Sequence, residues 1–302
     1  MRVSIVGYDF FAKNLAFELQ RFDRQNKYIY INKKGFINKV KGVISILLSK
    51  KIFIIGGEIY KSKIMDISLF FNKEIYIEWA GSDVLKAKKF FENGMINENY
   101  IKKPIHFSVS KWIQSELQEI GIENKVCKAS LCDVVRNDKE KFVFSMNNKN
   151  IMAFTYLGKN RENFYGLDQV IKLAKKFPNV KFRVCGTDGE NLIHLNNIEY
   201  LGWINNVSEE LDNCNIFLRL IEHDGLSNTV LEALSKGKFV IYSYPFDYCE
   251  TYKNDNELFA VFQKLINLTK KRNNNKEAIN FVVKNYSKEI LLKNLIKELY
   301  KN

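Results

Sequence analysis

Short apolar runs alternate with segments of helical spacing along this 302-residue chain, and that alternation leaves few folds open to it. In the first half, residues 3–6, 28–31, 53–55 and 74–78 read as strands, and residues 10–22 and 59–71 carry apolar side chains at helical intervals. Residues 105–109 and 126–128 read as further strands, with Ser110 capping a helix over 111–120. The alternation resumes at residue 151, with strands over 151–156, 180–184, 198–203, 214–220 and 238–242 and helices over 166–176 and 206–213. Strands that alternate with helices in this way pair in parallel, with helices covering both faces of the sheet. The expected fold class is therefore α/β, with two doubly wound domains. Their expected bounds are 1–140 and 150–275, joined by a polar linker over 133–150. The helical tail over 276–302 is expected to pack back on the first domain.

Composition narrows the class. Hydrophobic residues make up 46% and charged residues 27% of the chain, the profile of a soluble globular protein. No apolar run approaches the roughly 18–20 residues of a membrane span. Residues 1–7 read as a strand and turn rather than a signal peptide. The five cysteines form no CxxC pair, and the three histidines show no ligand spacing with them. They read as buried thiols in a reducing cytoplasm, and no metal or cofactor is expected. The first turn, residues 7–12, lacks the GxGxxG spacing of a dinucleotide site.

In doubly wound sheets, ligands bind beyond the carboxyl ends of the strands. In the first half this selects Gly7, Gly56-Gly57 and the turn Trp79-Ala80-Gly81-Ser82-Asp83. Gly57, Ser82 and Asp83 are candidates for contacting an acceptor; Asp83 either positions a hydroxyl or caps the helix over 84–91. In the second half it selects Gly158-Lys159-Asn160-Arg161, Gly186, the turn at Trp203 and the stretch Asp224-Gly225-Leu226-Ser227-Asn228-Thr229-Val230-Leu231-Glu232. Lys159 and Arg161 are either solvent-facing cations or groups that neutralise a leaving diphosphate. The helix start after Ser227 presents backbone N–H groups suited to an anion. Glu232, about one turn inside, suits a vicinal diol, although Thr229-x-x-Glu232 also reads as a capping box.

The net charge of +13 is uneven. Residues 1–150 carry 26 Lys and Arg against 16 Asp and Glu, whereas residues 151–302 carry 21 against 18. A basic first half implies an anionic partner such as a membrane surface or a lipid diphosphate. Lys33, Lys34, Lys39, Lys41, Lys50 and Lys51 flank an apolar segment containing Phe36, Ile37, Val40, Val43 and Leu47. That pattern fits an interfacial helix or a sheet-covering helix whose lysines face water. Nucleic acid is not expected, because the basic residues lack interleaved aromatics on one strand face.

Four stretches together resemble the GT-B glycosyltransferases, specifically the retaining group called family four. Asp224 and Glu232, seven residues between them, followed by Ala233 and by Gly237 with Val240-Ile241, resemble that family's paired-acid motif. Tyr156-Leu157-Gly158-Lys159 through Tyr165-Gly166-Leu167 resembles its phosphate-binding loop. Residues 79–85 resemble a turn of its acceptor domain, and residues 107–117, with the tail 285–289, match the family in character. The resemblance implies two Rossmann-like domains facing across a cleft, and metal-independent transfer of a hexose from a nucleotide-sugar to a glycan or lipid-linked acceptor with retention. It places such a chain in polysaccharide or glycoconjugate biosynthesis, cytoplasmic and peripheral to the membrane. It also implies that Glu232 binds the ribose, Asp224 the donor sugar, and the backbone at Gly225, Leu226, Ser227 and Asn228 the phosphates. Lys159 and Arg161 then steady the leaving group, with Gly158, Gly186 and Trp203 lining the donor side. Two positions depart from the pattern: the first acid is Asp224 rather than Glu, and Tyr165 stands where the family carries a second lysine. The alternative to an enzyme is a non-catalytic subunit of the same fold that binds a nucleotide or a partner. A sugar-nucleotide epimerase is less well matched, since that chemistry needs acid/base side chains and His223 is the only histidine near the paired acids.

Overall fold

The computed structural model describes residues 1–132, 134, 151–271 and 274–301. The linker expected over 133–150 lies, apart from residue 134, outside the described residues. The chain divides into two compact units, Met1–Leu131 with Asp224–Leu226 and Lys288–Asn302, and Cys132–His223 with Ser227–Ser287.

The first unit is built on β1 (Arg2–Gly7), α1 (Asp9–Phe22), β2 (Lys27–Tyr30), α2 (Phe36–Leu48), β3 (Lys51–Ile55), α3 (Lys63–Phe70) and β4 (Glu74–Trp79). It continues with α4 (Ser82–Glu92), α5 (Glu98–Lys102), β5 (Ile105–Ser108), α6 (Lys111–Glu119) and β6 (Asn124–Val126). The sheet order is β2-β1-β3-β4-β5-β6, and every pairing is parallel. A parallel sheet covered on both faces needs strands that are apolar throughout, not alternating. All five residues of β3 are buried and all but Lys51 are apolar; Lys51 pairs with Glu74 at the start of β4. Ser62 and Ser110 cap α3 and α6 by accepting the N–H groups of Met65 and Ile113.

The second unit repeats the plan with β7 (Met152–Tyr156), α7 (Leu167–Lys176), β8 (Lys181–Cys185), β9 (Ile198–Tyr200), α8 (Val207–Asn213) and β10 (Ile216–Arg219). α9 (Asn228–Ser235), β11 (Phe239–Tyr242), β12 (Cys249–Glu250), α10 (Asp255–Lys271) and α11 (Lys276–Tyr286) follow. Its sheet order is β12-β11-β10-β7-β8-β9, again parallel throughout. The core fills the space between the sheet and helices α7 and α10, with Phe182 stacked on Phe262 at 5.7 Å. The last helix, α12 (Lys288–Leu299), belongs to the first unit, whereas α11 packs on α9 in the second. The tail over 276–302 is thus divided between the units, rather than joining the first as a whole.

One buried histidine links the first sheet to pH. His106 on β5 is 3% exposed. Its Nδ1 accepts the Trp79 indole N–H at 3.0 Å, which leaves Nε2 to donate to the Ile101 carbonyl at 3.0 Å. The ring is therefore neutral, and burial pushes its pKa down to about 4. Since the unfolded chain binds this proton near pH 6.5, stability is full above that value and falls as pH drops toward 4. The loss amounts to about 3 kcal/mol at its limit. Urea titrations between pH 6.5 and 4.5 are expected to show this fall in wild type and a shallower one in His106→Gln.

Candidate active site

In each sheet the order reverses at one place, and the crevice beyond the strand ends at such a reversal is where doubly wound folds bind ligands. In the second unit it lies between β7 and β10. The loop after β7 carries Gly158, Lys159 and Arg161; the segment after β10 leads to α9 and Glu232. Residues far apart in sequence are therefore brought side by side. The Glu222 N–H donates to the Phe164 carbonyl at 3.0 Å, which ties the two loops together. Gly166 permits the approach. Its φ is +88°, and a Cβ there would lie 2.1 Å from the Leu220 carbonyl oxygen.

The cations of this crevice have specific neighbours. Lys159 Nζ donates to Asp188 Oδ2 at 2.7 Å, and that hydrogen bond raises the lysine's pKa and lowers the aspartate's. The Arg161 guanidinium lies over the Phe164 ring at 4.1 Å and 5.7 Å from the Tyr165 ring centre. The Arg219 guanidinium, at the end of β10, lies 5.1 Å from the centre of the same Tyr165 ring. Tyr165, the departure from the expected lysine, thus has two guanidinium groups within 6 Å of its ring centre, each attracted by the negative face of its π system. Arg219 is a site candidate that sequence reasoning missed, because within an apolar strand only the β7–β10 adjacency points it out.

α9 begins at Asn228 with Ser227 as N-cap, and the Ser227 side chain makes no capping hydrogen bond. Thr229 is already the second helical residue, so Thr229 and Glu232 do not form the capping box that their spacing permits. Glu232 lies in the second turn, half-buried. Gly186 follows β8, and its N–H donates to the Gly202 carbonyl at 2.8 Å. That bond ties it to the turn of Trp203, whose ring is 78% exposed. Thr187 Oγ1 donates to Glu162 at 2.9 Å, so the loops after β7 and β8 are also joined.

Asp224, Gly225 and Leu226 belong to the first unit, so the paired-acid stretch is divided between the units. The Trp112 indole N–H donates to the Asp224 carbonyl at 2.8 Å, and Lys128 Nζ donates to the Leu226 carbonyl at 3.2 Å. Gly225 lies so close to Ala80 that a Cβ would sit 1.9 Å from its carbonyl oxygen. Lys128 is placed by a buried network: Glu78, fully buried on β4, accepts the N–H groups of Ala129 and Ser130 at 3.2 and 3.0 Å. Burial pushes the Glu78 carboxyl up, against the nearby Lys128 charge.

The first unit's own reversal lies between β1 and β3. A cavity of about 420 Å³ opens there, lined by Tyr8, Lys33, Gly57, Lys61, Ser82, Asp83 and Lys86 among others. The Asp83 carboxylate is buried and accepts N–H groups from Gly57 (2.7 Å), Ala80, Gly81 (2.7 Å) and Val84. Burial raises its pKa and these donors oppose the rise. Its carboxylate thus fixes the turns after β3 and β4, and Gly57 and Ser82 line the cavity beside it. Tyr8 and Lys61 escaped the sequence reading because no motif marks them, and Lys33 stood there only as part of the basic segment around residues 33–51. A larger cavity, about 610 Å³, lies around Ile105 and Asn124 at the amino ends of β5 and β6, away from both reversals. Among the described residues no group of three His, Cys, Asp or Glu side chains is arranged to hold a metal ion.

Residues 148–263 match the family described as glycosyl transferases group 1. The fold is that of the GT-B glycosyltransferases. Anabaena HepE, solved in complex with UDP and glucose, superimposes with a TM-score of 0.70 at 12% identity over 100% of both chains. The lipopolysaccharide outer core galactosyltransferase WaaB gives 0.56 at 13% identity over 99% of both chains. The UDP-GlcNAc 2-epimerase from Neisseria meningitidis, bound to UDP-GlcNAc, gives 0.58 at 12% identity over 100% of both. At such identities the likeness concerns the fold. No curated protein matches the chain in sequence.

Proposed function

We propose that this protein is a glycosyltransferase that moves a hexose from a nucleotide-sugar to a glycan or lipid-linked acceptor, with retention and without a metal ion. The observation that carries the proposal is the β7–β10 reversal, which gathers the Lys159–Arg161 loop and the α9 start within the segment matching glycosyl transferases group 1. The diphosphate sits at the α9 N-terminus, where the helix dipole and first-turn N–H groups favour negative charge. Glu232 accepts the ribose hydroxyls, Asp224 contacts the donor sugar, and the exposed Trp203 ring offers a face to the base. As the glycosidic bond breaks, charge grows on the departing diphosphate, and Lys159, Arg161 and Arg219 stabilise it. The cavity of the first unit, with Lys33, Lys61 and Lys86 on its wall, takes the acceptor, and its charge favours one bearing phosphate or carboxylate. The enzyme works at the cytoplasmic membrane face in polysaccharide or glycoconjugate synthesis.

Turnover of a panel of sugar nucleotides, followed as nucleoside diphosphate release, tests the proposal. Lys159→Ala is expected to lower kcat at least about tenfold, since a cation that meets charge only as the bond breaks acts on the transition state. An unchanged kcat removes Lys159 from the mechanism. The pairing of Lys159 with Asp188 and the tyrosine at 165 favour a second reading, a nucleotide-binding subunit without catalysis. Tight nucleotide binding with no turnover across the panel selects that reading, and an epimerised sugar nucleotide as product overturns both.

A further inference from the structure

Helix α2 meets its sheet with two small residues and a single large apolar one. Its buried positions are Gly42, Ser45 and Ile46. The Ser4 hydroxyl on β1 is hydrogen-bonded to those of Ser45 and Ser49, each at 2.8 Å. The other large apolar residues face outward: Phe36, Ile37, Val40, Val43, Ile44, Leu47 and Leu48 are all exposed, Phe36 by 81% and Leu48 by 60%. Their spacing places them on one broad face of the helix. The face continues onto the end of α3, where Phe70 is 82% exposed and Phe71 also faces solvent. Lys73, just beyond, donates to the Leu47 carbonyl at 2.7 Å and holds the two helix ends together. A sheet-covering helix would turn these apolar residues inward and its lysines to water; here the apolar residues themselves face solvent.

The surroundings are predominantly basic, with Asp9 beside Lys34 and Glu74 beside Lys50, each pair at 3.6 Å. Lys33, Lys34, Lys39, Lys41 and Lys50 are exposed on or next to α2. No Asp or Glu occurs between Asp23 and Glu58. A contiguous apolar surface of this kind marks an interaction site, and a basic rim around it selects an anionic partner. A second copy of the chain would bring two such lysine rims together and is disfavoured by charge.

We propose that the outward face of α2, with Phe70 and Phe71, docks into the surface of an anionic lipid bilayer. The apolar side chains enter the boundary between headgroups and acyl chains while the lysines remain among the headgroups. Lys33, three residues before Phe36, lines the 420 Å³ cavity, and so does Ile64 of α3. Docking therefore brings the mouth of that cavity close to the bilayer. This last consequence rests on the acceptor role given to the cavity; the docking itself does not.

Sedimentation with vesicles of phosphatidylcholine, alone or mixed with phosphatidylglycerol, tests the docking. The whole protein is expected to partition at least about tenfold more strongly onto the mixed vesicles, and to lose most of that advantage at high salt. The double variant Ile37→Asp/Ile44→Asp alters only exposed positions. It is expected to reduce partitioning at least about tenfold while leaving the melting curve unchanged. Failure of the wild type to bind the mixed vesicles, or equal binding by the double variant, overturns the proposal. So does a dimer, seen by sedimentation velocity, that the double variant abolishes. Vesicle binding needs neither donor nor acceptor, so a failure of glycosyl transfer and a failure of docking are read separately.

Discussion

Glu232→Ala is expected to lower kcat/KM for the nucleotide-sugar by about 100-fold or more, chiefly through KM. The expectation rests on the proposed role of Glu232, a carboxylate that accepts both hydroxyls of the ribose diol. Two hydrogen bonds to a charged acceptor contribute about 1.5–3 kcal/mol each, and about 1.4 kcal/mol is a factor of ten. The ribose is remote from the bond that breaks, so its contacts stabilise ground and transition states alike and are read in KM. Because Glu232 is half-buried on α9, a melting curve of the variant accompanies the kinetics and separates lost ligand contact from lost fold. Glu232→Gln, which keeps the reach and the hydrogen-bonding capacity without the charge, should fall between the two. Steady-state kinetics with the preferred donor checks this, and an unchanged KM in the alanine variant would remove Glu232 from the ribose.

Gly166→Ala is expected to cost the second unit about 2–4 kcal/mol of stability and to weaken nucleotide binding with it. Two effects add. A φ of +88° is strained for any residue with a Cβ. The added carbon would also lie 2.1 Å from the Leu220 carbonyl oxygen and 2.6 Å from the Leu220 Cβ. Because the first of these neighbours is backbone, no rotamer change relieves the clash; the loop after β7 must move away from the end of β10. Gly202→Ala separates the two effects, since φ there is +64° and no atom lies within 4 Å of the added carbon. Its expected cost is about 1 kcal/mol, from conformation alone. Urea denaturation of both variants, with nucleotide binding measured by calorimetry, makes the comparison. Equal losses in the two would show that the close approach at Leu220 does not matter.

Much of the candidate site was legible because its residues sit at strand ends, and strand ends are local features. Gly158, Lys159 and Arg161 follow a run of apolar residues, and Gly57 follows another. Their neighbours were not legible. Arg219 reads as an interruption in an apolar strand, and only the pairing of β10 with β7 sets it over Tyr165. The partner of Lys159 comes from the loop after β8, 29 residues away. Asp83 read equally well as a helix cap or a crevice acid; the structure gives its carboxylate to four backbone donors. Likewise, the Thr229–Glu232 spacing fits a capping box, yet α9 starts too early for it.

That the chain forms α/β units with parallel sheets follows from local patterns alone. Strand-length apolar runs and helical periodicity are properties of a few consecutive residues, and a strand buried on both faces declares itself by being apolar throughout. Strand order, by contrast, depends on packing between residues distant in sequence. Long-range packing sets where each sheet reverses and assigns residues 224–226 to the first unit. The same packing makes α2 turn Gly42, Ser45 and Ile46 to the sheet and its other large apolar residues outward. Periodicity reveals that a helix has two faces; which one meets the sheet is fixed by the space the neighbouring strands and helices leave.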